Sequence, residues 1–133
     1  MATVYICLIL AFGLIYLSKL PVGYAQSKMG GYDNHHPRDQ QAGLTGWGKR
    51  ALAAHHNTIE TFPGFGVGVL LALYSEVDVN LLSGLCVGFV LARALFILLY
   101  IQDKSTMRSL IWGVGQCITL SLYLIPLIDI LKE

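Results

Sequence analysis

The chain has 133 residues, of which 55% are hydrophobic and only 13% charged, and its formal net charge is +1. A water-soluble domain of this length carries close to twice that charged fraction, and neither the net charge nor any basic tract suits nucleic acid. The apolar residues fall in long blocks with a mean hydropathy of +0.61, which predicts an all-α integral membrane protein.

In chain order, the first span is expected over about residues 3–20, closed by Lys19, Leu20 and Pro21. A cleaved signal peptide is the competing reading, because Gly23-Tyr24-Ala25 has the small-residue character of a cleavage site. The leading MATVY has no positive charge, and the first basic residue follows the apolar run, so a retained helix is expected. Residues 21–46 form the one long polar connection, punctuated by Gly30-Gly31, Asp33-Asn34, Pro37, Gly43 and Gly46. A connection of that length in so small a domain is either functional or a solvated tether.

The second span, about residues 48–74, enters through KRALAAHHNTIETFPGF (residues 49–65), whose first three turns are too polar for hydrocarbon. Pro63 is expected to kink it, and Gly64, Gly66 and Gly68 would let another helix approach closely. An acidic turn, Ser75–Asn80, leads to a third span over about residues 81–101 with Arg93 as its only charge. After a turn at Gln102–Thr106, the fourth span covers about residues 107–131, with Arg108 at its start and Pro126 near its end. The expected architecture is a single domain, residues 1–133, built as a four-transmembrane-helix up-down bundle.

The basic residues orient that bundle. Lys19, Lys28, Arg38, Lys49, Arg50, Lys104 and Arg108 fall at the end that holds the 21–46 loop, whereas the other end has Lys132 among Glu76, Asp78, Asp129 and Glu133. Positive residues favour the cytoplasmic side, so the loop is expected to be cytoplasmic and both termini outside.

The three cysteines, Cys7, Cys86 and Cys117, are scattered through apolar segments and suit neither a disulfide framework nor zinc. His35-His36 and His55-His56 are adjacent pairs, which on a helix point about 100° apart and cannot share one ion. No HxxxH or carboxylate at ligand spacing accompanies them, so no metal is expected.

Arg50, Ala53, Asn57 and Glu60 are spaced to line one helical stripe, flanked by His55 and His56. Arg93 and Tyr100 are two turns apart on the third span, and Arg108, Trp112 and Gly115 share a face of the fourth. Glu60 and Arg93 lie deepest, and an unpaired charge in a membrane costs at least about 2.5 kcal/mol, so the two are expected to pair with Asn57 beside them. Such a pair serves either a site or merely helix register. Arginines beside an asparagine and a tyrosine suit a small ligand that carries carboxylates. The same positive field would lower the pKa of a bound thiol, and Ser109 could donate a hydrogen bond to its sulfur.

These residues resemble a known family. The run Arg50-Ala51-x-x-Ala54-His55-x-Asn57-x-x-Glu60-x-x-Pro63-x-Phe65 is similar to the second-helix signature of the MAPEG proteins, the membrane-associated proteins in eicosanoid and glutathione metabolism. Arg93-x6-Tyr100 followed by Arg108-Ser109 resembles their third and fourth helices, and YDNHHPR (residues 32–38) resembles a loop of the bacterial members. The likeness implies a homotrimer in a bacterial inner membrane, with glutathione as co-substrate held between subunits near the cytoplasmic face. It implies that Arg50, Asn57, Glu60, Arg93 and His55 bind glutathione, and that Tyr100, Arg108 and Ser109 lie near the thiol as the catalytic group. The chain departs from the better-characterised eicosanoid enzymes at Ala53 and Phe96, where those carry basic residues, and at Trp112, where they carry an aromatic hydroxyl.

Two functions are therefore expected. The first is a glutathione-dependent transferase or peroxidase that acts on hydrophobic small molecules partitioning into membrane lipid. The second is a non-catalytic lipid-binding or scaffold protein of the same fold. A transporter is disfavoured, because the spans show no inverted repeat.

Overall fold

The computed structural model describes residues 1–132. Its elements are helices: α1 (Ala2–Ser27), α2 (Pro37–Ala42), α3 (Gly46–Tyr74), α4 (Val79–Ile101) and α5 (Ser105–Ile130). The four long ones run alternately up and down. Ser18 of α1 meets His55 of α3, and Phe12 meets Phe62. Arg50 at the start of α3 reaches Ile101 at the end of α4. Arg108 at the start of α5 lies over Tyr100 of α4, and Tyr123 near the far end of α5 bonds Gly64 of α3.

Three of these helices, α1, α4 and α5, are long and apolar enough to cross a membrane. At about 1.5 Å per residue each exceeds the roughly 30 Å of a hydrocarbon core. Ile9, Leu20, Leu70, Leu91 and Leu110 lie exposed on the outer surface, an arrangement that water would oppose and lipid favours.

The interior is narrow and closely packed. Its centre is the stacked pair Phe65 and Phe89, with ring centroids 3.8 Å apart and planes within 1°. Val4, Cys7 and Ala11 of α1, Val69 and Ala72 of α3, Leu82 and Cys86 of α4, and Leu122 of α5 close around it. Two glycines set the helix spacing. A Cβ on Gly48 would stand 2.8 Å from the Ala25 Cβ, and one on Gly68 would stand 2.9 Å from Tyr123 Cε2 and 3.0 Å from Leu122 Cβ. Those distances are shorter than carbon contacts allow, so α1 and α5 approach α3 only because these positions lack side chains. Gly66, in contrast, faces open space.

The structure revises two boundaries. Pro21 does not close the first helix, which continues to Ser27 with the proline inside it. An interior proline costs about 3 kcal/mol, but Val22, Ala25 and Gln26 beyond it are buried against the loop and α3, and that packing outweighs the lost hydrogen bond. The long connection is correspondingly shorter, residues 28–45, and it contains a helix. Asp33 opens it by accepting from the backbone N–H groups of His35 and His36 at 2.8 and 3.0 Å, and Pro37 occupies the first turn of α2, where its missing donor costs nothing. At the opposite end Asp78 caps α4 by accepting from the N–H groups of Asn80 and Leu81 at 3.0 and 2.9 Å.

Candidate functional site

Arg93 is the deepest cation, 2% exposed between α3 and α4. Its Nη2 donates to Asn57 Oδ1 at 3.0 Å and to Thr58 Oγ1 at 3.4 Å, and its guanidinium lies 4.3 Å from the centroid of the Phe96 ring. Its Nε is buried with no acceptor. The expected ion pair with Glu60 does not form: among the described residues Arg93 has no carboxylate partner, and Glu60 is exposed. Helix geometry explains the correction. Around α3, Thr58 lies about 100° to one side of Asn57 and Glu60 about 60° to the other, so a guanidinium seated between Asn57 and Thr58 leaves Glu60 turned outward. The expectation that Asn57 bonds in this neighbourhood holds.

Arg50 is committed to the α4–α5 turn. Its Nε donates to the Ile101 carbonyl at 3.1 Å, and Nη1 lies 3.7 Å from the Asp103 carboxylate. Asp103 reaches this position through a left-handed backbone, with φ of 64°. Tyr100 and Arg108 flank that turn on α4 and α5, so Arg50 fixes the mouth of the next feature.

That feature is a cleft of about 470 Å³ between α4 and α5, lined by Phe96, Tyr100, Arg108, Ser109, Trp112 and Gly113. The Arg108 guanidinium lies 4.1 Å from the centroid of the Tyr100 ring, and Phe96 meets Tyr100 edge to face at 5.5 Å. Among the described residues no carboxylate neutralises Arg108. A cation that stacks on an aromatic face and lacks a counter-ion presents its field to whatever enters the cleft.

A second, larger cavity of about 650 Å³ lies between α1, α2 and α3. Lys19, Tyr32, Arg38, Gln41, His55 and His56 are among its lining residues. His55 is held at one edge: the Ser18 hydroxyl donates to the Ile15 carbonyl at 2.8 Å, so its oxygen accepts Nδ1–H of His55 at 2.9 Å. A hydroxyl has one proton, so this chain leaves the His55 Nε2 lone pair free. The two cavities share no residue and no element.

The residues expected at one site are thus divided. Tyr100, Arg108 and Ser109 converge in the α4–α5 cleft, and His55 belongs to the other cavity. Arg93 and Asn57 bond each other between helices, and Glu60 projects outward. Lys19, Arg38, Tyr32 and Gln41 were not anticipated as a group, although the charge map had set Lys19 and Arg38 at the same end. No group of histidine, cysteine and carboxylate side chains suited to a metal occurs among the described residues.

The chain matches the family model of the MAPEG family over residues 3–128. It belongs to the MAPEG family. Together with the three long apolar helices, that membership makes it an integral membrane protein whose outer face meets lipid. The matched MAPEG region takes in α3 and α4 whole, α1 and α5 but for their outermost residues, and both cavities. No curated protein and no solved structure matches the chain.

Proposed function

We propose that this MAPEG protein is a glutathione-dependent transferase or peroxidase that acts on hydrophobic electrophiles dissolved in the bilayer. The observation that carries the reading is Arg108: a cation with no carboxylate partner among the described residues, stacked on Tyr100 beside Ser109, in a cleft with apolar walls of Phe96 and Trp112. A thiol brought there loses its proton to solvent more readily, because the guanidinium stabilises the thiolate. The Ser109 hydroxyl would donate to the sulfur and orient it. The thiolate then attacks the electrophilic carbon; the carbon–sulfur bond forms as the leaving group departs with its electron pair.

Glutathione also carries two carboxylates and an ammonium, and the α4–α5 cleft has one cation for them. The α1–α2–α3 cavity supplies Lys19 and Arg38, with the free Nε2 of His55 as an acceptor. Glu60, exposed on α3, would take the ammonium. The two cavities share no lining residue, and in the homotrimer we propose, with glutathione between subunits, one peptide would draw on both. Arg50 fixes the α4–α5 turn beside these groups, and Arg93 and Asn57 bond each other within the bundle.

The helix α3 also crosses the bilayer in this reading. It lies antiparallel to α1 and α4 over their whole length, so helices that span on both sides carry it across, with its polar first turns at the headgroups. The basic loop end would face the cytoplasm.

The deciding experiment is conjugation of glutathione to 1-chloro-2,4-dinitrobenzene by the purified protein in lipid. Wild-type turnover above background, lost in Arg108→Ala with the assembly intact, is the expected result. Glutathione that neither reacts nor raises the melting temperature would favour a non-catalytic amphiphile-binding protein instead.

A further inference from the structure

The short helix α2 buries none of its residues and has only six of them, too few to persist alone. What holds it is a pair of interlocked side-chain amides. Gln26, on the last turn of α1, is 0% exposed. Its Nε2 donates to the Pro37 carbonyl and to Gln40 Oε1, both at 3.0 Å, and its Oε1 accepts from Gln41 Nε2 at 3.4 Å. Gln40 answers from α2: its Nε2 donates to the carbonyls of Gly31 at 2.7 Å and Gln26 at 3.3 Å, and its Oε1 also accepts from the Asp33 N–H at 3.1 Å. Every donor and acceptor of the two amides is used, and a fully satisfied buried network specifies one arrangement.

The arrangement has a consequence for charge. Arg38 follows Pro37 on α2 and faces the cavity that Lys19 also lines. Two like charges at one cavity repel, which opposes the seating of α2 there, and the interlocked amides offset that opposition. We infer that Gln26 and Gln40 are positioning residues: their amide clasp holds Arg38 at the cavity that Lys19 lines, and thereby sets the affinity of the α1–α2–α3 cavity for the carboxylate end of glutathione. The inference rests on the proposed function for its ligand and on the clasp geometry for its mechanism.

The test uses the full chain in detergent, with glutathione binding followed by calorimetry and tryptic cleavage after Arg38 followed over time. Gln26→Met keeps the buried volume and removes all three side-chain hydrogen bonds. Gln40→Met makes the same change on the more accessible partner, so a folding defect at Gln26 leaves the experiment intact. Each variant should bind glutathione about tenfold more weakly, the size of effect given by loss of one charge-assisted hydrogen bond. Each should also be cleaved faster than wild type. Gln26→Met combined with Arg38→Gln should bind no more weakly than Arg38→Gln alone, because the clasp acts through that arginine. Unchanged affinity in the clasp variants, or losses that add to that of Arg38→Gln, would overturn the inference while leaving the proposed function standing. A wild-type protein that binds no glutathione would overturn both.

Discussion

The buried guanidinium of Arg93 makes an unequal pair with Asn57, and the inequality can be measured. Asn57 Oδ1, at 3.0 Å, is its one short hydrogen bond; the Thr58 contact is 3.4 Å and Nε has no acceptor. Asn57→Leu would leave a charge that is 2% exposed with one marginal acceptor, and losing a hydrogen bond to a charged group costs about 1.5–3 kcal/mol. Arg93→Met would leave Asn57 without its donor, but Asn57 is only half-buried and water can reach it. It would also remove the desolvated charge, and replacing a buried charge by an apolar side chain of similar volume is often neutral or stabilising. The net change for Arg93→Met should therefore lie within about 1 kcal/mol of zero. The double variant should recover most of the loss seen in Asn57→Leu. Reversible unfolding in mixed detergent micelles, read from the fluorescence of Trp47 and Trp112, measures all three. If Arg93→Met proves more damaging than Asn57→Leu, the guanidinium is a net stabiliser of the bundle and the reasoning is wrong.

Two further predictions probe the framework. Gly68→Ala should lower stability by about 1–3 kcal/mol, because its Cβ would overlap Tyr123 and Leu122. Gly66→Ala, two residues away in open space, should be neutral or slightly stabilising by helix propensity, so the two melting temperatures should separate. Asp78→Ala removes both acceptor contacts at the start of α4 and should cost about 1 kcal/mol, seen as faster amide exchange at Asn80 and Leu81.

The helices α1, α4 and α5 were legible in the sequence because each is an apolar block long enough to cross a bilayer, and the grouping of Tyr100, Arg108 and Ser109 was what the family resemblance implied. Pro21 misled because local propensity marks it as a stop, whereas the burial of Val22 and Gln26 is a tertiary effect. The helix α2 was hidden for a related reason: its support is a contact between Gln26 and Gln40, fourteen residues apart. Spacing alone grouped Arg50, Asn57 and Glu60 on one stripe, but it could not tell which edge of that stripe faces α4. Charge pairing therefore assigned Arg93 to Glu60, and the fold gave it Asn57 and Thr58. The gathering of Lys19, Arg38 and His55 at one cavity depends on how residues 28–45 fold back, which no periodicity encodes.

In the proposed function Arg108, which has no carboxylate partner among the described residues, makes a thiolate from bound glutathione. The direct measurement is the thiolate itself, read as ultraviolet absorbance near 240 nm when glutathione is added to wild-type and Arg108→Ala protein at neutral pH. The wild type should show a thiolate band that is missing from Arg108→Ala. Bound glutathione that remains a thiol in the wild type, or forms the same band without Arg108, would contradict it.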